Sequence, residues 1–306
     1  MTELYKRLRP KSFKTMVGQD AAVKQLETMV ANNEVPHTLL FVGPSGCGKT
    51  TAARILKKRL GCSDHDYHEM NAATSNGIEM VRNLENRVGG RPMNGSCKIY
   101  MIDECHQLTT QAQNGLLKLL EDTPKHAYFI MATTDPQKLL KTIITRSCRI
   151  ELKGMSTKAL ETLVEKMNVK LQMDLSEEVM DKVVEYSDGS ARQCMVLLDA
   201  IKGLENEEEQ LNCIKRSDDQ AQAIEVARKL LTGRRFTDVS NVLKNLPPGT
   251  DYEGIRWLVL AFMNKTLLGG GKYAGRAYVV IDCFREPFFN TKAAGLSAAC
   301  WEVFNE

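Results

Sequence analysis

Nothing in the 306-residue chain has the length and apolarity of a bilayer span. Its longest strongly apolar run, Trp257–Met263, has seven residues, against the ~20 that a transmembrane helix needs. The opening stretch Met1–Pro10 has no apolar core of signal-peptide length, so the expected setting is the cytoplasm, with no membrane partner. The nine cysteines are odd in number, scattered, and include no C-x-x-C pair, which excludes a disulfide framework. Cys62-x-x-His65-x-x-His68 matches no common zinc spacing. A strong charge of either sign is also missing: 41 basic residues face 38 acidic ones, net +3. That balance argues against a dedicated nucleic-acid binder, although residues 1–60 hold eleven Lys/Arg against four Asp/Glu. With 43% hydrophobic and 26% charged residues, the chain is neither disordered nor fibrous. Its length suggests two or three domains.

Up to about residue 153, short apolar runs alternate with helical patterns. The runs are Thr38–Val42, Tyr67–Met70, Lys98–Ile102, Ala127–Thr133 and Cys148–Leu152. Several are apolar without alternation, as strands buried on both faces of a parallel sheet are. The segments between them are long enough for crossover helices. Beyond Gly154 the spacing turns helical, at Thr157–Asn168, Ser176–Tyr186 and Ser190–Lys202. The acidic stretch Glu205–Glu209 and the segment Ser217–Asp219 are expected to be a linker. A second helical region follows, broken at Pro247–Gly249 and Gly269–Gly271. The fold class expected is therefore α/β plus all-α, with a parallel-sheet core over 1–153. Two helical domains follow, over 154–215 and 216–306.

Gly43-Pro44-Ser45-Gly46-Cys47-Gly48-Lys49-Thr50 matches G-x-x-x-x-G-K-[ST] in full, between an apolar run and a helical pattern that starts at Thr51. Glycines let backbone amides wrap phosphate oxygens, and the helix start adds partial positive charge. Lys49 is expected to reach the β- and γ-phosphates of ATP, and the Thr50 hydroxyl to ligate Mg2+. The run from Lys98 ends in Asp103-Glu104-Cys105-His106. Asp103 fits the second Mg2+ ligand and Glu104 the base that orients the attacking water. His106 is expected to be structural. Ser190 and Gln193 stand at capping-box spacing, which puts Arg192 in a first helical turn, able to face an anion.

These boxes and several further stretches resemble the AAA+ ATPase subunits of sliding-clamp loaders, bacterial gamma/tau above all, with features of replication factor C small subunits. Leu8-Arg9-Pro10 through Val17-Gly18-Gln19 is similar to the family's opening segment over the adenine, with Leu8 where Tyr is usual. Asn114–Glu121 and Ala132–Lys138 are close to the gamma/tau text. By that likeness Thr134 takes the sensor-1 role, with a strand cap as the alternative. Thr145-Arg146-Ser147 stands where the family has Ser-Arg-Cys, which makes Arg146 an arginine finger acting in trans; a surface loop arginine is the alternative. Gly189–Gln193 resembles sensor 2, with Arg192 on the nucleotide. The family's four-cysteine zinc insertion is missing between the phosphate loop and the acidic strand. Residues 71–82 run on instead as in replication factor C, which makes Arg82 a DNA-contact candidate or else a solvated helix charge.

The resemblance implies a minimal, phage-like clamp-loader subunit. Its three parts would be an ATPase core, a helical lid and an oligomerisation collar. It implies a Mg2+-dependent ATPase that works in a ring with like and unlike subunits, opens a sliding clamp and loads it at primer-template DNA through phosphate contacts. A branch-migration helicase and a non-hydrolysing ring subunit are the alternatives.

Overall fold

The computed structural model describes residues 3–246 and 250–305, with the side chains of 216–221 excepted. The expected break at Pro247–Gly249 lies outside the described residues. The chain divides into two units, the first ending at Gly203 and the second starting at Leu204.

In the first unit, a short helix α1 (Leu4–Arg7) and α2 (Asp20–Ala31) precede the sheet. Strands and helices then alternate: β1 (Thr38–Val42), α3 (Lys49–Arg59), β2 (Tyr67–Asn71), α4 (Ile78–Val88), β3 (Lys98–Asp103), α5 (Thr110–Glu121), β4 (Ala127–Thr133), α6 (Lys141–Thr145) and β5 (Cys148–Glu151). The five strands are parallel in the order β2-β3-β4-β1-β5. Every residue of β1 is buried because both of its edges are paired and both of its faces are covered. Leu39 and Phe41 join the layer that holds Ala52, Ala53, Ile55 and Leu56 of α3. Leu40 and Val42 face the opposite layer, with Leu84 of α4 and Leu116 of α5. That two-sided burial is why the strands read as unbroken apolar runs.

Register fixes the site. Val42 pairs with Thr133, and Ile102 with Met131, so the carboxyl ends of β1, β3 and β4 lie nearly level. The loops leaving them share one rim, the side on which open parallel sheets bind ligands. Three helices complete the unit: α7 (Thr157–Leu171), α8 (Glu177–Glu185) and α9 (Ala191–Ile201). Ser156, Ser176 and Ser190 cap them, each accepting a bond from the amide three residues on. Helix α1 packs on α9, with the Leu4 amide donating to Asp199 Oδ2 at 3.0 Å.

The second unit holds α10 (Glu207–Thr232), α11 (Thr237–Lys244), α12 (Tyr252–Leu268), α13 (Ala274–Cys283) and α14 (Lys292–Glu302). Among its described residues there is no strand. The expected linker is corrected here: Glu207–Glu209 and Ser217–Asp219 belong to the single helix α10. Asn206 caps it, accepting from the amides of Glu208 and Glu209, and three glutamates in the first turn complement its dipole. Val226, Leu230, Val259, Met263 and Val280 form the unit's core, whereas Trp257 and Tyr278 are 61% and 55% exposed. No helix among the described residues is long and apolar enough to cross a membrane.

Candidate nucleotide site

The loop between β1 and α3 needs its glycines. Gly46 and Gly48 have φ of +75° and +108°, where side chains are strained. Lys49 opens α3, and its side chain folds back so that Nζ donates to the carbonyls of Gly43 and Pro44 at 2.7 and 2.8 Å. The residue is only 6% exposed, so its charge is held within the loop by those two carbonyls. Gln19 braces the loop from below, with Nε2 donating to the Cys47 and Lys153 carbonyls at 3.3 and 2.7 Å.

One residue into α3, Thr50 Oγ1 donates to Asp103 Oδ2 at 3.2 Å. Two ligands on adjacent corners of a Mg2+ octahedron, with bonds of 2.0–2.1 Å, lie about 2.9 Å apart. Thr50 and Asp103 therefore fit the ion as neighbouring oxygen donors. Glu104 adopts φ +51°, ψ +42°, a left-handed conformation that costs a non-glycine residue about 1–3 kcal/mol and tends to mark functional positions. Its Oε2 accepts from Thr134 Oγ1 at 3.2 Å, which joins the loop after β4 to that after β3.

The cleft above these groups has a volume of about 790 Å3. Of the residues picked out from the sequence, it is lined by Leu8, Arg9, Pro10, Val17, the loop from Ser45 to Thr51, Asp103, Glu104 and Arg192. Gly43 and Pro44 contribute the carbonyls that hold Lys49. Arg192 lies in the first turn of α9, and its guanidinium stands 5.6 Å from the Tyr5 ring. Arg9 Nη1 is buried without a hydrogen-bond partner. Burial, and then the nearby charges of Arg54 and Arg192, lower its pKa. An under-satisfied guanidinium among other cations suits a polyanion. The lining also includes Met16, Met155, Met167 and Met195, apolar side chains available to a base. The sequence did not single out Tyr5, Gln19, Lys166, Met155 or Met167. Gln19 stands within a quoted motif, Tyr5 comes to the cleft on α1, Lys166 and Met167 on α7, and Met155 on the segment just before the Ser156 cap.

Two predicted residues stand elsewhere. Arg146 caps α6, pairs with Glu121 and donates to the Thr142 carbonyl at 3.3 Å. It does not line its own chain's cleft. Arg82 is exposed on α4 and paired with Glu79 at 2.6 Å. Next to Glu104, His106 turns inward: Nδ1 lies 3.1 Å from Thr133 Oγ1 and 3.3 Å from Glu104 Oε2. Burial pushes its pKa below the usual histidine value, partly offset by Glu104.

The family described as "DNA polymerase III, delta subunit" matches residues 18–77 and 65–156. The chain is 34% identical over 217 residues to the DNA polymerase III subunit tau of Bacillus subtilis, covering 64% of this chain and 38% of that protein. To the DNA polymerase III subunit gamma of Buchnera aphidicola it is 31% identical over 217 residues, covering 64% and 60%. It thus spans between about two fifths and three fifths of these relatives' lengths. In fold it is similar to the Thermotoga maritima RuvB Holliday junction branch migration motor. The TM-score is 0.59 at 20% identity, over 78% of this chain and 85% of that one.

Proposed function

This AAA+ chain resembles the ATPase subunits of clamp loaders over its first two thirds, and we propose that it is an ATP-hydrolysing subunit of such a loader. The observation that carries the reading is the meeting of Thr50 and Asp103 at 3.2 Å, beside Lys49 and in reach of Glu104. Bound Mg2+ would neutralise charge on the β- and γ-phosphates. Lys49 and the loop amides hold the phosphate chain, Arg192 approaches it from α9, and Thr134 fixes Glu104. Glu104 receives the proton of the attacking water. Arg146, turned away from its own cleft, supplies a permanent positive charge to the neighbouring subunit's nucleotide.

ATP then sits at a subunit boundary and orders it. The subunits form an open ring or spiral, with α7–α9 as lid and the second unit as collar. The assembly opens a sliding clamp and closes it on primer-template DNA in the cytoplasm, touching phosphates rather than bases, with Arg82 as a contact. The second unit, which has no strand among its described residues, favours a loader over a branch-migration motor that reads DNA through a strand-bearing wing. Glu104→Gln in the assembled complex tests the chemistry. It is expected to bind ATP normally and to turn over about 10²-fold or more slowly; ordinary turnover would remove the base assignment.

A further inference from the structure

His106 follows Glu104 by two residues, and its side chain is 7% exposed. The simple reading of such a residue is a packed core histidine. Its neighbours are polar, however, and one of them fixes where its proton sits. An ionised carboxylate only accepts hydrogen bonds, so the approach of Nδ1 to Glu104 Oε2 at 3.3 Å calls for a proton on Nδ1. Thr133 Oγ1, 3.1 Å from the same nitrogen, already accepts from the Asp135 amide and keeps a second lone pair. In the neutral ring Nε2 is then an acceptor, and the Gln107 amide nitrogen stands 3.0 Å from it. The Glu104 carboxylate thus selects the Nδ1–H tautomer, and Thr133 and Gln107 are compatible with it.

The carboxylate is held unevenly as a result. Thr134 and His106 both address Oε2, while Oε1 takes no hydrogen bond among the described contacts. We infer that His106 is a positioning residue: with Thr134 it clamps Glu104 Oε2 and so leaves Oε1 as the oxygen that takes the water proton. This rests on the reading of Glu104 as the base. In the step itself, the water oxygen bonds to the γ-phosphorus as the bond to the β,γ-bridging oxygen breaks. The proton goes to Oε1, and ADP and phosphate leave. His106 touches neither water nor nucleotide, and its own proton stays on Nδ1 throughout.

Side-chain amides that copy one ring nitrogen at a time provide the test. Asn places its amide nitrogen near the position of Nδ1, and Gln places its own near Nε2. In the assembled complex, His106→Ala and His106→Gln are expected to lower kcat about tenfold or more, with KM for ATP within about twofold. His106→Asn should recover most of the loss. A readout without turnover is long-range 1H–15N NMR on wild-type chain labelled at its five histidines, which should show His106 neutral and protonated on Nδ1. A proton on Nε2 overturns the inference, as does equal activity of the Gln and Asn variants. If Glu104→Gln is inactive while His106→Ala and His106→Gln hydrolyse at the wild-type rate, the positioning role alone fails. If Glu104→Gln hydrolyses normally, the base reading falls and the inference with it.

Discussion

Gly46 and Ser190 are packed so closely that a Cβ on the glycine would lie 2.1 Å from the serine Oγ. The same Cβ would stand 3.2 Å from Cβ of Arg192. The phosphate loop therefore rests directly against the capped start of α9, whose far end is tied to α1 through Leu4 and Asp199. Loop, sensor helix and opening segment form one packed set, and a shift of the loop around phosphate has to be passed to α9.

Substituting Gly46→Ala should expose this coupling. Alanine at φ +75° is strained by about 1 kcal/mol or more, and it also meets Ser190. Nucleotide affinity is expected to fall about tenfold or more. Adding Ser190→Gly should restore only part of it, because that change removes the clash and leaves the strain. Titration of the isolated chain with a fluorescent ATP analogue reads both steps.

How far the sequence carries is clearest at this site. The strands were legible because burial on both faces removes alternation, and the phosphate loop because its spacing is dictated by geometry. Strand order was not: β4 separates β1 from β3 through pairings between residues about 30 or 90 positions apart. The contact of Thr134 with Glu104 follows from that order and from the resemblance, not from local spacing. Gln19 reaches carbonyls 28 and 134 residues away, which no local pattern encodes. The acidic residues at 207–209 fit a linker and a helix N-terminus equally, because negative charge marks both, and Asn206 decides between them by capping the helix.

Asp66 braces the chain that leads into β3. The residue is 1% exposed, and its carboxylate accepts from Ser63 Oγ and the amides of Met93, Asn94 and Gly95 at 2.6–3.1 Å. Burial alone would raise its pKa, but these four donors outweigh it and hold the carboxyl well below the ordinary range. Asp66→Ala leaves the donors without an acceptor and should cost about 2–3 kcal/mol. Thermal unfolding by circular dichroism would register it, whereas unchanged stability would show that the loop is held by something else.

In the second unit, Arg256 and Glu253 are 4% and 8% exposed and bonded at 2.5 and 2.8 Å. Arg256 Nη1 also donates to the Phe284 carbonyl at 2.9 Å, and Glu253 Oε2 accepts from the Phe288 amide at 2.7 Å. The hydrogen bond from Arg256 is the main cause holding the Glu253 pKa below 4.5. Protons therefore bind the unfolded chain more readily than the folded one between the two values. The pair's contribution is present above about pH 4.5 and is lost as pH falls through the folded value. Arg256→Met should destabilise the unit by about 3–5 kcal/mol, since it strands a buried charge. Glu253→Gln with Arg256→Met should regain part of that and flatten the acid dependence. The chain's two tryptophans, Trp257 and Trp301, both lie in this unit, so urea titration followed by tryptophan fluorescence reports on it.

Arg146 separates what one chain does from what an assembly does. Its guanidinium is occupied by Glu121 and the Thr142 carbonyl, outside the cleft of its own chain. Arg146→Ala is therefore expected to leave ATP affinity of the isolated chain within about twofold of wild type. In the assembled complex with DNA and clamp, the same change should lower hydrolysis about 10³-fold or more, as loss of an arginine finger does. Arg146→Lys should not rescue it, because a point ammonium cannot reproduce the planar fork. Arg149, paired instead with Glu151 on β5, is the control: Arg149→Ala should hydrolyse ATP at close to the wild-type rate. Equal losses at the two positions would reduce Arg146 to one surface charge among others, and a loss of affinity in the isolated chain would place it in its own site.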